Sequence, residues 1–67
     1  MMAEMIHVRI DKFLRKHEGE WYTAAELAFE LNTYNKKISY NIRGMPQVIH
    51  KESVSGAFLY SIPKVKT

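Results

Sequence analysis

The sequence predicts a small α+β domain that is mainly α, with three helices, a short strand ahead of the second, and a C-terminal two-stranded β-hairpin. Three observations carry this expectation. Apolar residues recur at helical spacing in three separate stretches, Thr23-Ala24-Ala25-Glu26 carries a capping signature at the start of the second, and two β-rich runs follow Pro46. At 67 residues the chain has material for a single domain, 1–67, whose core is small. A chain of this size buries only about 60% of its unfolded surface. Hydrophobic content of 46% beside 25% charged residues is too apolar for disorder and ordinary for a folded domain.

The first helix is expected over about residues 3–16. Ile6, Ile10, Phe13, Leu14 and His17 share one face, Arg9, Asp11, Lys12 and Arg15 fall mainly elsewhere, and Gly19 supplies a stop. Glu20-Trp21-Tyr22 is too short for another helix, so it reads as a brief strand, about 20–22, that tucks Trp21 into the core.

Thr23-Ala24-Ala25-Glu26 has the spacing of a capping box, in which the Thr23 hydroxyl accepts from the Glu26 amide and the Glu26 carboxylate accepts from the Thr23 amide. The second helix is therefore expected over about 24–32, with Leu27, Ala28 and Leu31 inward and Glu26 and Glu30 largely outward. Asn32-Thr33-Tyr34-Asn35 then favours local side-chain to backbone bonds over helix continuation, which makes a turn. Asn35 is the expected N-cap of the third helix, about 35–45, whose apolar stripe is Ile38, Ile42 and Met45. Pro46 ends it, because proline has no N–H to donate and pushes the preceding residue towards extended geometry.

Gln47 to Glu52 and Ala57 to Ile62 read as the strands of a hairpin over about 47–62, turning through Ser53-Val54-Ser55-Gly56. Residues 63–67 read as a frayed end. Phe13, Phe29 and Phe58 are expected in the core, with Phe29 the weakest fit because it lies away from Leu27 and Leu31. Tyr34 is expected to pack, whereas Tyr40 suits packing or base stacking equally. There is no internal repeat.

On the third helix, Lys36, Tyr40 and Arg43 lie opposite the apolar stripe, with Lys37 and Ser39 on its flanks. A major groove admits an α-helix, where Arg and Lys reach guanine edges or phosphates and Ser and Tyr donate to bases or backbone. A net charge of +3 and a pI near 9.3 favour association with a polyanion.

Taken together, Trp21-Tyr22-Thr23-Ala24-Ala25-Glu26-Leu27-Ala28, Ile38-Ser39-Tyr40-Asn41-Ile42-Arg43 and Val48-Ile49-His50 resemble a winged helix-turn-helix domain from roughly Ile6 to Ile62. Within that superfamily the chain looks closest to small bacterial or phage transcriptional regulators, such as the Pap-type fimbrial switch regulators and the carnitine-operon type activators, which share a Thr-Ala start to helix two. The resemblance implies a recognition helix in the major groove of double-stranded DNA, a second helix crossing the backbone, and a wing touching phosphates or the minor groove. It places Lys36, Lys37, Ser39, Tyr40 and Arg43 at the groove, and His50, Lys51, Ser53 and Ser55 in the wing. The wing tip, Glu52-Ser53-Val54-Ser55, departs from members with Arg or Lys there. Glu52 repels phosphate unless it turns away or pairs with Lys51.

Catalysis finds little support in the sequence, so no enzyme, no catalytic residue and no cofactor are expected. His7, His17 and His50 are dispersed without zinc-binding spacing, there is no cysteine, and Gly19, Gly44 and Gly56 are too isolated for a nucleotide-binding loop. No metal site is therefore expected. Met1-Met2-Ala3-Glu4-Met5 has neither the basic start nor the apolar run of a signal peptide, and charges interrupt the rest, so a cytoplasmic chain without a membrane span is expected.

The competing expectation is a winged-helix module that binds protein and not DNA, since Glu18, Glu20, Glu26 and Glu30 make the face around the second helix negative. A lone recognition helix reads few base pairs, so a homodimer or a partner protein is a further expectation.

Overall fold

Among residues 4–64, which the computed structural model describes, the order is α1 (Ile6–Lys16), β1 (Tyr22–Thr23), α2 (Ala24–Glu30), α3 (Asn35–Ile42), β2 (Ile49–Glu52) and β3 (Phe58–Ser61). It is a small α+β fold, mainly helical, with three helices and one three-stranded antiparallel sheet in the order β1-β3-β2. The short strand and the hairpin thus belong to one sheet: Tyr22 pairs with Tyr60 and Thr23 with Leu59, while His50 pairs with Tyr60 and Glu52 with Phe58. The expected helix start at Ala3 and the end of the 63–67 tail lie outside the described residues. No helix among those described is long and apolar enough to cross a membrane.

Helix α1 starts at Ile6, the first residue of its apolar pattern, and not at about residue 3. Glu4 and Met5 precede it, and Met5 adopts extended geometry while its carbonyl accepts from the Val8 and Arg9 amides. Ile10 and Leu14 are wholly buried, with Ile6 and Phe13 against the same core. Across the fold, Arg9 donates to the Leu31 carbonyl at 2.8 Å, which fastens α1 to the end of α2. Gly19 adopts φ +81°, a conformation that favours glycine, and its amide donates to the Ile62 carbonyl at 3.0 Å.

The capping box forms at α2: the Glu26 amide donates to the Thr23 hydroxyl at 3.1 Å and the Thr23 amide to the Glu26 carboxylate at 2.9 Å. Helix α2 ends at Glu30, short of residue 32, through a backbone device. Asn32 adopts φ 55°, the Thr33 amide donates to the Ala28 carbonyl and the Asn32 amide to that of Phe29. This is the paired bonding of a Schellman turn, with asparagine where glycine is commonest. The chain therefore turns through backbone bonds where side-chain bonds were expected.

The extended residue before α3 is Tyr34, so Tyr34 is its N-cap and Asn35 lies inside the first turn. Tyr34 makes no side-chain cap bond and is 61% exposed, against the expectation that it packs. At the other end α3 stops at Ile42, not residue 45, because the Gly44 and Met45 amides tighten onto the Asn41 and Ile42 carbonyls ahead of Pro46. The expected stripe nevertheless holds, since Ile38, Ile42 and Met45 are all buried. Leu27, Ala28, Leu31, Val48 and Ile62 complete the core between helices and sheet.

Besides Tyr34, three aromatic positions differ from expectation. Tyr22 takes the inward place on β1, its ring 5.1 Å from that of Phe13, so alternation sends its neighbour Trp21 away from the core, half-buried under the Lys51 ammonium. Phe29 is 83% exposed on the outer side of α2. Phe58, the first residue of β3, is 51% exposed.

Candidate nucleic-acid interface

Burial of Ile38, Ile42 and Met45 fixes the rotation of α3, and that rotation leaves Lys36, Lys37, Tyr40 and Arg43 exposed on its outer side. Ser39 is half-buried on the flank that faces the sheet. Asn41, half-buried on another flank, donates from its amide to the Lys37 carbonyl at 2.8 Å and braces the helix. The tight turns through Gly44 and Met45 hold Arg43 at the helix end with its side chain outward.

Arg43 stands between two open grooves. One, of about 650 Å³, runs towards the start of α1 and is lined by His7, Tyr40 and Arg43 among others. The second, of about 510 Å³, lies between α3 and the hairpin, with Ser39 and Arg43 on one wall and His50, Phe58 and Tyr60 on the other. Within that wall the His50 and Phe58 rings meet edge-on at 5.7 Å, and His50 lies 6.5 Å from Tyr60.

The hairpin residues expected to act together are separated by strand alternation. His50 faces α3, whereas Lys51 points to the opposite side of the sheet and holds its ammonium 4.3 Å from the centre of the Trp21 ring. Lys51 is consequently not a partner for Glu52, which shares the His50 side. At the tip, the Ser53 and Ser55 hydroxyls bond each other at 2.9 Å, and the Gly56 amide closes the turn on the Ser53 carbonyl with Gly56 at φ +89°. Val54 projects fully into solvent from this tip.

Charge is distributed unevenly over the fold. Among the described residues, Lys36, Lys37 and Arg43 make no ion pair, while Asp11 pairs with Arg15 and Glu4 with Lys12, and the Glu20 carboxylate lies 3.4 Å from the His17 imidazole. Lys36 and Lys37 occupy the first turn of α3, where the helix dipole already places partial positive charge. That arrangement is unfavourable in isolation and is relieved by an anion. The three histidines and the carboxylates do not converge: no group of three or more residues able to hold a metal occurs among those described.

Two residues at these grooves escape sequence reasoning. His7 reads only as one of three dispersed histidines, and the packing of α1 beside the end of α3 brings it near Arg43. Phe58 reads as core because it is aromatic in a strand, yet it stays 51% exposed on the wall of the groove that faces α3. No family model, curated protein or solved structure matches the chain.

Proposed function

We propose that the chain is a winged helix-turn-helix domain that binds double-stranded DNA sequence-specifically and regulates transcription. In this reading α3 is the recognition helix and the β2–β3 hairpin is the wing. The observation that carries it is the outer side of α3, where Lys36, Lys37 and Arg43 are exposed beside Tyr40 without ion-pair partners among the described residues. A helix such as α3 is about 10–12 Å across with its side chains, comparable with the width of the major groove.

Within that interface the lysines at the start of α3 neutralise phosphates and the later positions, Tyr40 and Arg43, reach base edges. Phosphate also relieves the clash between the lysines and the helix dipole, an effect of about 0.3–1 kcal/mol per charge at low salt. His50 and Ser39 border the groove between α3 and the hairpin, on the side a docked duplex meets, and Ser53 and Ser55 offer hydroxyls at the hairpin tip. Two copies side by side supply the base pairs that a single short helix does not read.

The test is a gel shift with random and genomic duplexes across a salt series, using the intact chain and its Lys36→Ala and Arg43→Ala variants. Binding that falls steeply with salt and weakens in both variants supports the reading. Absent binding, or binding indifferent to salt and to both substitutions, overturns it.

A further inference from the structure

On the outer side of α2 an aromatic patch is framed by carboxylates. Leu27 and Ala28 face the core, which leaves Phe29 83% exposed. Single exposed apolar residues are ordinary, but Phe29 is not single. Ala25, one turn earlier, is exposed and short, and the half-buried Tyr22 lies beside it. Together they line a depression of about 370 Å³ whose remaining walls are Glu26 and Glu30. Glu20 adds a third carboxylate, accepting from the Tyr22 hydroxyl at 3.5 Å. The Tyr22 phenol registers this surrounding, since its pKa is raised by desolvation first and then by Glu20, Glu30 and Glu26.

Two occupants are disfavoured by that charge. DNA is repelled by carboxylates, and a two-fold pairing of this face with itself sets glutamates against glutamates. The complement is cationic with an apolar centre. A Lys or Arg lays its methylene stem along an aromatic ring and keeps its charge at the rim, where carboxylates wait. We infer that the Phe29 face of α2 docks a segment of a partner protein in which a leucine or valine is flanked by lysines or arginines. The aliphatic side chain fills the depression between Phe29 and Tyr22, and the flanking cations meet Glu26 and Glu30. The site is separate from the basic side of α3 and does not depend on DNA binding.

The experiment is an NMR titration of the ¹⁵N-labelled chain with an acetylated synthetic peptide centred on Lys-Leu-Lys, beside matched Lys-Ser-Lys and Glu-Leu-Glu peptides. The expected result is perturbation confined to Tyr22, Ala25, Glu26, Phe29 and Glu30, with the Lys-Leu-Lys peptide alone binding measurably. Affinity is expected to fall about tenfold in Phe29→Ser, the loss of one packed anchor, and to fall in Glu30→Lys. Because Phe29 and Glu30 are exposed, both variants are expected to keep the wild-type melting temperature, which is measured alongside. Equal binding of the serine peptide, perturbation spread over other faces, or unchanged affinity in Phe29→Ser overturns the inference. So does concentration-dependent broadening at these residues without peptide, which identifies a second copy as the occupant.

Discussion

Gln47 donates from its side-chain amide to the Asp11 carboxylate at 3.0 Å, a bond between α1 and the segment that follows α3. The second Asp11 oxygen accepts from the Arg15 guanidinium at 2.9 Å, one turn along α1. The Arg15 bond and then the Gln47 bond hold the Asp11 pKa below its usual value. One carboxylate thereby links the helix that carries His7 to the chain that sets the end of α3.

A pH dependence follows from that link. A depressed carboxylate pKa contributes stability that is present above the unfolded value, about 3.9, and is lost as pH falls through the folded value. Urea unfolding is expected to show Asp11→Ala less stable than the parent chain by about 0.2–1 kcal/mol at pH 7, the range for a solvent-screened pair. The gap is expected to narrow steadily below pH 4. An equal gap at pH 7 and at pH 2 contradicts this account.

Thr23→Ala removes the acceptor for the Glu26 amide in a helix of only seven residues. The expected loss is about 1 kcal/mol, seen as a melting temperature lower by about 4–8 °C. Thr23→Ser is expected to retain most of that stability, because serine offers the same oxygen.

Asn32 occupies the left-handed region at the turn between α2 and α3. Asn32→Gly is expected to be tolerated, whereas Asn32→Val, which crowds its Cβ against the backbone there, is expected to cost about 1–2 kcal/mol in denaturant unfolding. A valine variant as stable as the parent chain is incompatible with the turn described.

Salt dependence separates the two faces of the hairpin. Lys36→Ala is expected to lower the slope of log K against log salt by about 1 on duplex DNA, whereas Arg43→Ala is expected to cost about 1–3 kcal/mol of binding and to relax specificity at the base it reads. Lys51→Ala is expected to leave that slope unchanged, because Lys51 points away from α3 onto Trp21. The same variant is expected to shift the emission of Trp21, the only tryptophan, which serves as an internal check that the contact was removed. A fall in slope for Lys51→Ala places DNA on the other side of the sheet.

Much of the fold is legible in the sequence because local chemistry and tertiary packing agree there. The capping box at Thr23 and Glu26 satisfies the same amides that sequence spacing assigns to it, and the Ile38, Ile42, Met45 stripe is buried even though α3 ends before Met45. Disagreement arises where a long-range pairing chooses between neighbours. Trp21 and Tyr22 have similar appetites for the core, and the pairing of Tyr22 with Tyr60 gives the place to Tyr22. His50 and Lys51 read alike as wing contacts of one strand, and alternation sends them to opposite sides. Around the candidate interface, the outward residues of α3 follow from helical period alone. The approach of His7 does not, because it depends on how α1 crosses the end of α3.

The two-residue strand β1 has a consequence out of proportion to its length. By pairing with β3, the central strand of the sheet, it fastens the hairpin to the chain directly ahead of α2, and Gly19 adds a further bond at Ile62. The hairpin therefore does not swing as a free arm: its pitch relative to α3 is set before any encounter. Association then leaves less hinge freedom to be frozen, so more of each new contact survives as affinity. Weakening this seam is expected to slacken binding without removing a single residue from the contact surface.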